Sequence, residues 1–385
     1  MKIIVVPCVP LMVGRRYNLA RTFAEHGHEV HYLIWDLPYR LNFSQVLRHL
    51  KVTLRADEYP YDNFTMHRIR RLPFFWPLVN GWLFKYQIKK LYKKLDADIV
   101  FSQGYTNETE IPKDLPFIYD LNDDHAAMAE VYGSVIYKLA FRLLQVKSTI
   151  RRQCQNALAV TVVSQALYEK AKNYNPNVYK LPNGVNKKVI DKVRKNKATL
   201  AKNKYSIIYV TGFNQWSLPI ETIEVIRQLK GEFPKIGLTL VGEGTETNRI
   251  KAHIKDNKLS KYIHYLGGVY DQEKLFTLIN GHSLGLSISE KNKFRDAAQP
   301  LKVIEYSALG KKVVSTDLEE VKDLDFPNVF IFSTKDKEDG FAGAIRKAFK
   351  DIKSYEATSD LVLTDYSWDK IAGSLAKIMA ERISA

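Results

Sequence analysis

Short apolar runs rich in β-forming residues alternate with helical segments along nearly the whole chain, and this alternation constrains the fold more than any other feature. Strands buried on both faces of a parallel sheet produce such runs, because helices cover the sheet on both sides. The runs form a first series at Ile3–Val6, Val30–Ile34, Ile99–Phe101, Phe117–Tyr119 and Ala159–Val163, and a second at Ile207–Val210, Leu238–Val241, Ile263–Leu266, Leu284–Ile288, Val313–Ser315 and Val329–Phe332. The pattern predicts an α/β protein with two parallel sheets.

A turn-forming sequence separates the two series. It is Leu181–Asn186, and a Lys-rich polar stretch follows it to about Lys204. A chain of 385 residues is also too long for one ordinary core. We therefore predict two doubly wound, Rossmann-like α/β domains over residues 1–182 and 183–366, with a final segment over 367–385. Such sheets bind ligands at the carboxyl ends of their strands, so the cleft between the domains is the expected site.

The composition limits the class of protein. Hydrophobic residues at 45% and charged residues at 26% are typical of a globular chain and exclude a disordered or collagen-like one. Two cysteines, Cys8 and Cys154, cannot form a disulfide framework and match no metal-ligand spacing, which favours a reducing cytosol. The net charge of +16 predicts an anionic partner, for which phosphorylated ligands, acidic membrane and nucleic acid all qualify.

The segment Gln299–Ser315 has the layout of a loop, a helix that begins at Pro300, a stop at Gly310 and a strand. Lys302 lies in the first turn of this helix, where free N–H groups and the positive dipole end favour an anion such as a diphosphate. Glu305 is three positions further along the same face and could accept two hydroxyl protons from a ribose. The alternative is that Lys302 and Glu305 form an ordinary surface ion pair.

This segment resembles the nucleotide-binding helix of the GT-B glycosyltransferases, especially glycosyltransferase family 4 and relatives with a Pro-x-Lys-x-x-Glu-Tyr variant. Further motifs follow in the family's order. Residues 19–30 resemble the first helix and its approach to strand two, and residues 181–185 the start of the donor domain. Residues 240–244 resemble a Gly loop, residues 266–269 a loop that holds the base, and residues 366–368 the start of the C-terminal helix that crosses back to the N-terminal domain. In that last helix an apolar stripe recurs at helical spacing, at Trp368, Ile371, Ala372, Leu375, Ile378 and Met379.

The resemblance implies an enzyme that transfers a sugar from a nucleotide-sugar, with the donor in the C-terminal domain and the acceptor in the N-terminal one. It implies no metal and no other cofactor, because cations and helix N-termini neutralise the leaving diphosphate. UDP is the expected nucleotide. Lys302 then clamps the diphosphate, Glu305 binds the ribose, and Gly14 matches the glycine-rich loop near the phosphates, with Arg15 as an extra clamp. The other donor-binding residues are Gly212, Gly242, Gly244, Gly268, Val269, Pro300 and Leu301.

Three positions depart from the family pattern. The residue eight before Glu305 is Ala297, where the family usually has a second Glu that faces the donor sugar. Residues 211–216 contain no basic residue where the family has Arg and Lys, and Val13 precedes Gly14 where the family has paired glycines. A retaining reaction is favoured and an inverting one stays open. A sugar-nucleotide epimerase of related fold and a non-catalytic partner subunit are the alternative functions.

Residues 118–125 lie at the end of a predicted strand and carry four ionisable side chains into the loop that follows. We predict the catalytic acid or base among Asp120, Asp123 and His125. Clustered carboxylates repel one another, which favours an acid–base role. The alternative is that Asn122, Asp123 or Asp124 caps a helix that begins at Ala126.

Residues 63–95 contain eight Lys or Arg and no Asp or Glu, so their positive charge is uncompensated within the segment. After Pro77 an apolar face of Val79, Trp82, Leu83, Tyr86 and Leu91 lies opposite lysines. This is the pattern of a helix that lies in the interface of an acidic membrane. We predict a membrane- and acceptor-binding surface made of Arg68, Arg70, Arg71, Phe74, Phe75, Trp76, Trp82, Lys85, Lys89 and Lys93.

The alternative for this segment is a crossover helix with its aromatic residues in the core. No nucleic-acid-binding motif is present, so we expect no nucleic acid partner. Together these features predict a cytoplasmic enzyme, peripheral on the inner face of the membrane, that glycosylates a lipid-linked or glycan acceptor in cell-surface polysaccharide or glycolipid synthesis.

Overall fold

The computed structural model describes residues 1–8, 14–35, 57–72, 77–196 and 200–385, with the backbone alone at residues 336–339. The chain divides into two compact units, one made of Met1–Pro182 and Trp368–Ala385, the other of Asn183–Ser367. Each unit is an α/β layer structure around its own sheet. The predicted fold class, two Rossmann-like domains with a C-terminal helix that returns to the first one, is confirmed.

The described part of the first unit contains an eight-stranded sheet in the order β3-β4-β2-β1-β5-β6-β7-β8. The strands are β1 Lys2–Val6, β2 Glu29–Ile34, β3 Glu58–Tyr61, β4 Phe64–Arg68, β5 Ile99–Ser102, β6 Phe117–Leu121, β7 Ala159–Val162 and β8 Val178–Lys180. All neighbours pair in parallel except β3, which is antiparallel to β4. Ile3 of β1 is paired with Val30 on one side and Ile99 on the other, so three of the predicted runs form the centre of the sheet.

Helices cover this sheet. They are α1 Gly14–Glu25, α2 Pro77–Leu95, α3 His125–Tyr132, α4 Val135–Leu143, α5 Val146–Asn156 and α6 Gln165–Lys172. A final helix of the chain, α16 Trp368–Ser384, packs against α1. Its predicted apolar stripe is buried in the core of the first unit, beside Leu19 and Phe23 of α1. The C-terminal residues of the chain therefore complete an N-terminal core.

The second unit has a fully parallel six-stranded sheet in the order β11-β10-β9-β12-β13-β14. The strands are β9 Ser206–Val210, β10 Gly237–Val241, β11 Ile263–Gly267, β12 Leu284–Ser287, β13 Lys312–Thr316 and β14 Val329–Phe332. The helices are α7 Lys187–Lys195, α8 Pro219–Leu229, α9 Thr247–Asp256, α10 Gln272–Asn280, α11 Lys293–Asp296, α12 Leu301–Ala308, α13 Glu319–Leu324, α14 Lys337–Lys350 and α15 Glu356–Asp365. Every run of the second series is a strand, as predicted.

The sequence did not predict β3, β4 and β8. The first two form an edge hairpin whose outer strand is Glu-Tyr-Pro-Tyr, and a Pro with charged neighbours is tolerated there because an edge strand leaves N–H groups unpaired. β8 is only three residues long. None of the helices in the described residues combines the length and the apolar character needed to span a bilayer.

Candidate functional site

The strand order of the second unit places its ligand-binding edge. β10 and β12 flank β9, so the direction of the sheet order reverses at β9, and ligands bind doubly wound sheets at the carboxyl ends of the strands beside such a point. The loops after β9, β10 and β11 meet there through backbone hydrogen bonds. Phe213 N donates to Glu243 O (3.1 Å) and Gly242 N donates to Gly267 O (2.8 Å). Predicted donor residues from three separate motifs are therefore neighbours.

The close approach of these loops requires glycine at two positions. Gly242 has a φ of +135°, and a Cβ there would lie 1.8 Å from Thr211 O. A Cβ at Gly244 would lie 2.2 Å from Phe213 O. Gly212 adjoins the same contact, so the glycines of this edge let backbone pack on backbone.

The predicted nucleotide-binding helix is α12, with Pro300 as its N-cap and Leu301 as its first residue. Lys302 Nζ lies 2.5 Å from Glu305 Oε2, and the Glu305 side chain is only 8% exposed. The ion pair named above as the alternative is thus formed in this structure. It holds both side chains on one face of the first turns of α12.

Buried contacts fix α12 against the sheet. The hydroxyl of Tyr306 accepts a hydrogen bond from the N–H of Val210 at the end of β9 (3.1 Å). The ring lies directly over Gly285, where a Cβ would come within 2.5 Å of it. Because Tyr306 follows Glu305, this contact sets the position of Lys302 and Glu305, the predicted nucleotide-binding residues, relative to the strand ends.

The start of the second unit is tied to the same helix. Asn183 N donates to Gln299 Oε1 (2.5 Å), and Asn183 Nδ2 donates to Gln299 O (3.3 Å). The predicted domain-start motif and the residue before Pro300 are therefore in direct contact. The sequence predicts both motifs but not the hydrogen bonds between them.

Two residues at this edge were missed. Tyr270 is 82% exposed, and its hydroxyl donates to Glu243 Oε2 (3.2 Å), so an aromatic face is presented beside Gly268 and Val269. Arg295 donates to Ser289 Oγ (2.8 Å) and has no carboxylate partner among the described residues. The signal for Tyr270 was its position just after the predicted base loop. Arg295 lies two residues before the apolar, buried Ala297, in a stretch where we sought a carboxylate rather than a cation.

At the carboxyl edge of the first unit, Arg15 and Asp120 form a buried bidentate ion pair. Arg15 Nε donates to Asp120 Oδ2 (2.9 Å) and Arg15 Nη2 to Asp120 Oδ1 (3.1 Å), with side-chain exposures of 4% and 0%. Gln103 and Thr161 also donate to the carboxylate, each at 2.6 Å, and Arg15 Nη1 donates to Pro182 O (2.5 Å).

This geometry corrects two predictions. Asp120 belongs to β6 itself, and four donors saturate its carboxylate, so it has no free lone pair with which to act as a base. Arg15 points its guanidinium at Asp120 rather than at a ligand, so the predicted role as a diphosphate clamp does not fit. Gly14 begins α1 with a φ of +73° and faces open space among the described residues, while Val13 lies outside them.

The acidic side chains in the loop after β6 have separate roles. Asp124 is the N-cap of α3, where it accepts a hydrogen bond from Ala127 N, and it pairs with Lys170 Nζ (2.8 Å). Capping was the alternative given above, although the helix begins at His125 rather than at Ala126. Asp123 precedes the cap and is partly exposed, so it remains the predicted acid–base residue among the carboxylates.

His125 is the least satisfied polar side chain of this edge. Its ring stacks on Tyr105 with centroids 3.7 Å apart, and burial lowers its pKa to about 4, so the imidazole is neutral at physiological pH. Both ring nitrogens are buried without a hydrogen-bond partner among the described residues, and so is Gln103 Oε1. Buried polar atoms are normally paired, so a ligand hydroxyl is a natural partner for them.

The basic segment is not uncompensated in the folded protein. Lys85 pairs with Glu110 (2.9 Å), Lys89 with Asp114 (2.8 Å) and Lys94 with Glu58 (2.9 Å). Arg68 pairs with Asp57 and Arg71 with Glu108. The eight charges are therefore uncompensated only within the segment itself, because carboxylates outside it neutralise five of them. Arg70 and Lys93 are exposed, and Phe74, Phe75 and Trp76 lie outside the described residues.

The aromatic residues of α2 are split between core and surface. Phe84 and Ile88 are buried, so α2 packs on the unit through a different face from the apolar one predicted to meet a membrane. Trp82 is 68% and Tyr86 56% exposed, and their rings are stacked with centroids 6.1 Å apart. The predicted apolar face is therefore at the surface. Within the described residues no group of three or more His, Cys, Asp or Glu side chains is placed to hold a metal ion.

Comparisons with known proteins agree with this architecture. The family model for glycosyl transferases group 1 matches residues 191–381, and that for Glycosyltransferase Family 4 matches residues 16–189. A search of curated proteins finds no match.

Solved structures with a similar fold include sucrose-phosphate synthase from Thermosynechococcus elongatus, with a TM-score of 0.71, 14% identity and 100% of each chain covered. Anabaena HepE in complex with UDP and glucose gives a TM-score of 0.70 at 15% identity, with 99% of each chain covered. WaaG, a glycosyltransferase involved in lipopolysaccharide biosynthesis, gives 0.64 at 13% identity, with 100% of this chain and 98% of that chain covered.

Proposed function

The chain is a glycosyltransferase of GT-B fold that resembles glycosyltransferase family 4, and we propose that it transfers a sugar from a UDP-sugar to a lipid-linked or glycan acceptor. The proposed donor site rests on the geometry of α12, which presents Lys302 and Glu305 on one face at the strand-end edge of the second unit. A cation and a carboxylate three residues apart match the diphosphate and the ribose of a nucleotide.

Several neighbours of α12 extend this proposal. Gly242 and Gly244 let the loops after β9 and β10 pack closely at this edge, and Arg295, which donates to Ser289 just after β12, supplies a second cation for the diphosphate. The exposed ring of Tyr270, beside Gly268 and Val269, offers a face on which the base can stack. UDP is the proposed nucleotide because HepE, with a similar fold, is solved with UDP and glucose.

The proposed chemistry is metal-independent transfer with retention, in which fixed cations and helix N-termini stabilise the leaving diphosphate. His125 and Asp123 are the proposed residues of the first unit that face the reacting sugar and acceptor. The neutral imidazole of His125 can donate one hydrogen bond and accept another, so it would orient a sugar hydroxyl rather than carry a charge.

We further propose that the enzyme acts at the cytoplasmic face of a membrane in cell-surface polysaccharide or glycolipid synthesis. The motivation is the exposed aromatic pair on α2 together with the excess of positive charge over the chain. WaaG, which acts in lipopolysaccharide biosynthesis, has a similar fold and supports an acceptor of this class.

Binding of UDP and UDP-sugars to single-residue variants tests the donor site. Lys302→Ala and Glu305→Ala each remove a charge-assisted contact, so we expect UDP affinity to fall by about 10- to 100-fold. Lys322→Ala is the matched control, because Lys322 forms the same i,i+3 pair with Glu319 (3.1 Å) on α13. Unchanged affinity in both α12 variants, measured by calorimetry, would show that the nucleotide binds elsewhere.

A product assay separates the proposed reaction from the two alternatives. A transferase releases UDP from the UDP-sugar only when acceptor is present, whereas an epimerase converts the sugar while it stays on the nucleotide. A non-catalytic subunit, for which the buried Ala297 in place of a carboxylate is the motivation, would bind UDP and release nothing. Candidate UDP-sugars incubated with total lipid extract, followed by chromatography of the nucleotides, distinguish the three outcomes.

A further inference from the structure

Helix α4 exposes apolar side chains that a folded protein ordinarily buries. Val135 is 84%, Ile136 81%, Leu139 55% and Leu143 51% exposed, and no residue of this helix is buried. A contiguous exposed patch of this kind usually marks a surface that binds something. The helix is capped at its N-terminus by the side chain of Ser134, which accepts a hydrogen bond from Tyr137 N.

Positive charges without acidic partners accompany these apolar residues. Lys138 and Arg142 belong to α4, and Lys147 belongs to the first turn of α5. No carboxylate of the described residues lies within 4.0 Å of any of the three, in contrast to the paired lysines of α2. With Arg151 they line a surface cavity of about 630 Å³, in which Glu130 is the one acidic lining residue. Carboxylates of the described residues neutralise three of the five lysines of α2, whereas they neutralise none of Lys138, Arg142 and Lys147.

The start of α2 lies next to the end of α4. Asn107 joins the two helices, because its Nδ2 donates to Pro77 O at the start of α2 and its N–H donates to Leu144 O at the end of α4, both at 3.1 Å. Leu78 on the first turn of α2 is 69% exposed and Trp82 on the next is 68% exposed. Exposed apolar side chains therefore occur on both helices that meet at this junction.

We propose that α4 and the first turns of α2 form a docking surface for a bilayer that contains anionic phospholipid. Aliphatic and aromatic side chains enter the boundary between headgroups and acyl chains, while Lys138, Arg142 and Lys147 contact lipid phosphates. A second copy of the chain fits this surface poorly, because a two-fold contact would bring like charges together. The inference deepens the proposed membrane function by naming the surface, and it does not depend on which sugar is transferred.

Co-sedimentation of the full chain with vesicles tests the proposal. One set of vesicles is phosphatidylcholine alone and the other is equal parts phosphatidylcholine and phosphatidylglycerol. We expect binding to the anionic set only, weakened by salt. Lys138→Gln with Arg142→Gln removes two charges and should lower partitioning about 25-fold, at about fivefold per charge. Ile136→Ser with Leu139→Ser should also abolish most binding. The matched control is Lys255→Gln with Lys258→Gln, an exposed pair on the second unit, which should bind as the unchanged protein does.

Each other outcome counts against the proposal. Equal binding to both vesicle sets, equal binding by the α4 variants, or no binding at all would overturn it. A concentration-dependent dimer that Ile136→Ser with Leu139→Ser dissolves would assign the surface to a second copy instead. UDP binding of the same variants, measured without vesicles, should match the unchanged protein. Failure of the surface and failure of the donor site are therefore observed separately.

Discussion

At the scale of single residues, the ion pair between Arg15 and Asp120 connects parts of the first unit that are far apart in sequence. It joins α1 to β6, and further hydrogen bonds extend it to β7 through Thr161 and to Pro182 at the end of the unit. A buried pair of this kind is costly to break, because the remaining charge has no partner and no water. We therefore regard Asp120 as a positioning residue for the strand ends.

Replacement of Asp120 by Asn tests this role. The variant leaves the Arg15 guanidinium buried without a countercharge, so the free energy of unfolding should fall by about 3 to 5 kcal/mol. The control is Asp114→Asn, which breaks the exposed pair with Lys89 and should lower the free energy of unfolding far less, because water and salt screen that pair. Urea denaturation measures both. A loss as small for Asp120 as for Asp114 would contradict the role given to the buried pair.

The buried ring nitrogens of His125 predict a specific pH dependence of stability. Its pKa in the folded protein is about 4, below the ordinary value of about 6.5. Between these pH values the unfolded chain binds a proton that the folded protein does not, so stability is lost as the pH falls from about 6.5 to about 4.

His125→Phe keeps an aromatic ring against Tyr105 and removes the titration. Over that acid window the unfolding free energy of the unchanged protein should fall more than that of the variant, by on the order of 2 to 3 kcal/mol. Both curves should have the same slope between pH 7 and about 8. Denaturation across the pH range measures the difference, and parallel curves throughout would mean that His125 titrates normally.

At the scale of elements, the position of α12 depends on one ring over one glycine. Tyr306 fills the space that Gly285 leaves open on β12, and its hydroxyl reaches Val210 on β9. The helix that bears Lys302 and Glu305 is thereby fixed to two strands at the reversal point of the sheet. The geometry of the proposed donor site thus depends on the packing beneath it.

Gly285→Ala tests this arrangement. The new Cβ would lie 2.5 Å from the Tyr306 ring, so α12 must shift, and we expect a loss of about 1 to 3 kcal/mol in stability together with weaker UDP binding. Gly343→Ala on α14 is the control, because no described heavy atom outside its own helix backbone lies within 4 Å and helix propensity favours Ala by about 1 kcal/mol. Thermal unfolding with and without UDP measures both effects. An unchanged UDP affinity in Gly285→Ala would show that UDP binding does not depend on the contact between Tyr306 and Gly285.

At the scale of the whole molecule, the chain returns to its first unit after completing its second. α16 buries Trp368 and Leu375 among residues of α1 and β1, although the preceding residue, Ser367, belongs to the second unit. The stability of the N-terminal core therefore depends on the last residues of the chain.

Trp368→Ala should destabilise the first unit selectively. Removal of a buried Trp from a core costs about 3 to 5 kcal/mol, so amide hydrogens of β1 and β2 should exchange faster while those of β9 and β10 keep their protection. Lys377→Ala, a residue of the same helix whose side chain is 79% exposed, is the control. Hydrogen exchange with mass spectrometry resolves the two units. Loss of protection in β9 equal to that in β1 would argue against a separate N-terminal core.

Much of the architecture followed from the sequence because the signals are local. Buried strands such as Ile207–Val210 are contiguous in sequence, and the stripe from Trp368 to Met379 repeats with the period of one helix. The spacing of Lys302 and Glu305 placed them on one face of a helix for the same reason. The role of Asp120 did not follow, because its four donors come from residues 17 to 105 positions away.

The sequence by itself determined the two-domain α/β fold, the helix that bears Lys302 and Glu305, and the C-terminal helix, because hydrophobic periodicity is encoded within each segment. Only the tertiary structure decided which charges are neutralised and which apolar residues are covered. Lys85 meets Glu110 and Arg15 meets Asp120 across long stretches of chain, whereas Lys138 and Arg142 meet no carboxylate among the described residues. Electrostatic pairing and burial depend on distance in space, so a surface that binds anions becomes visible only once the chain has folded.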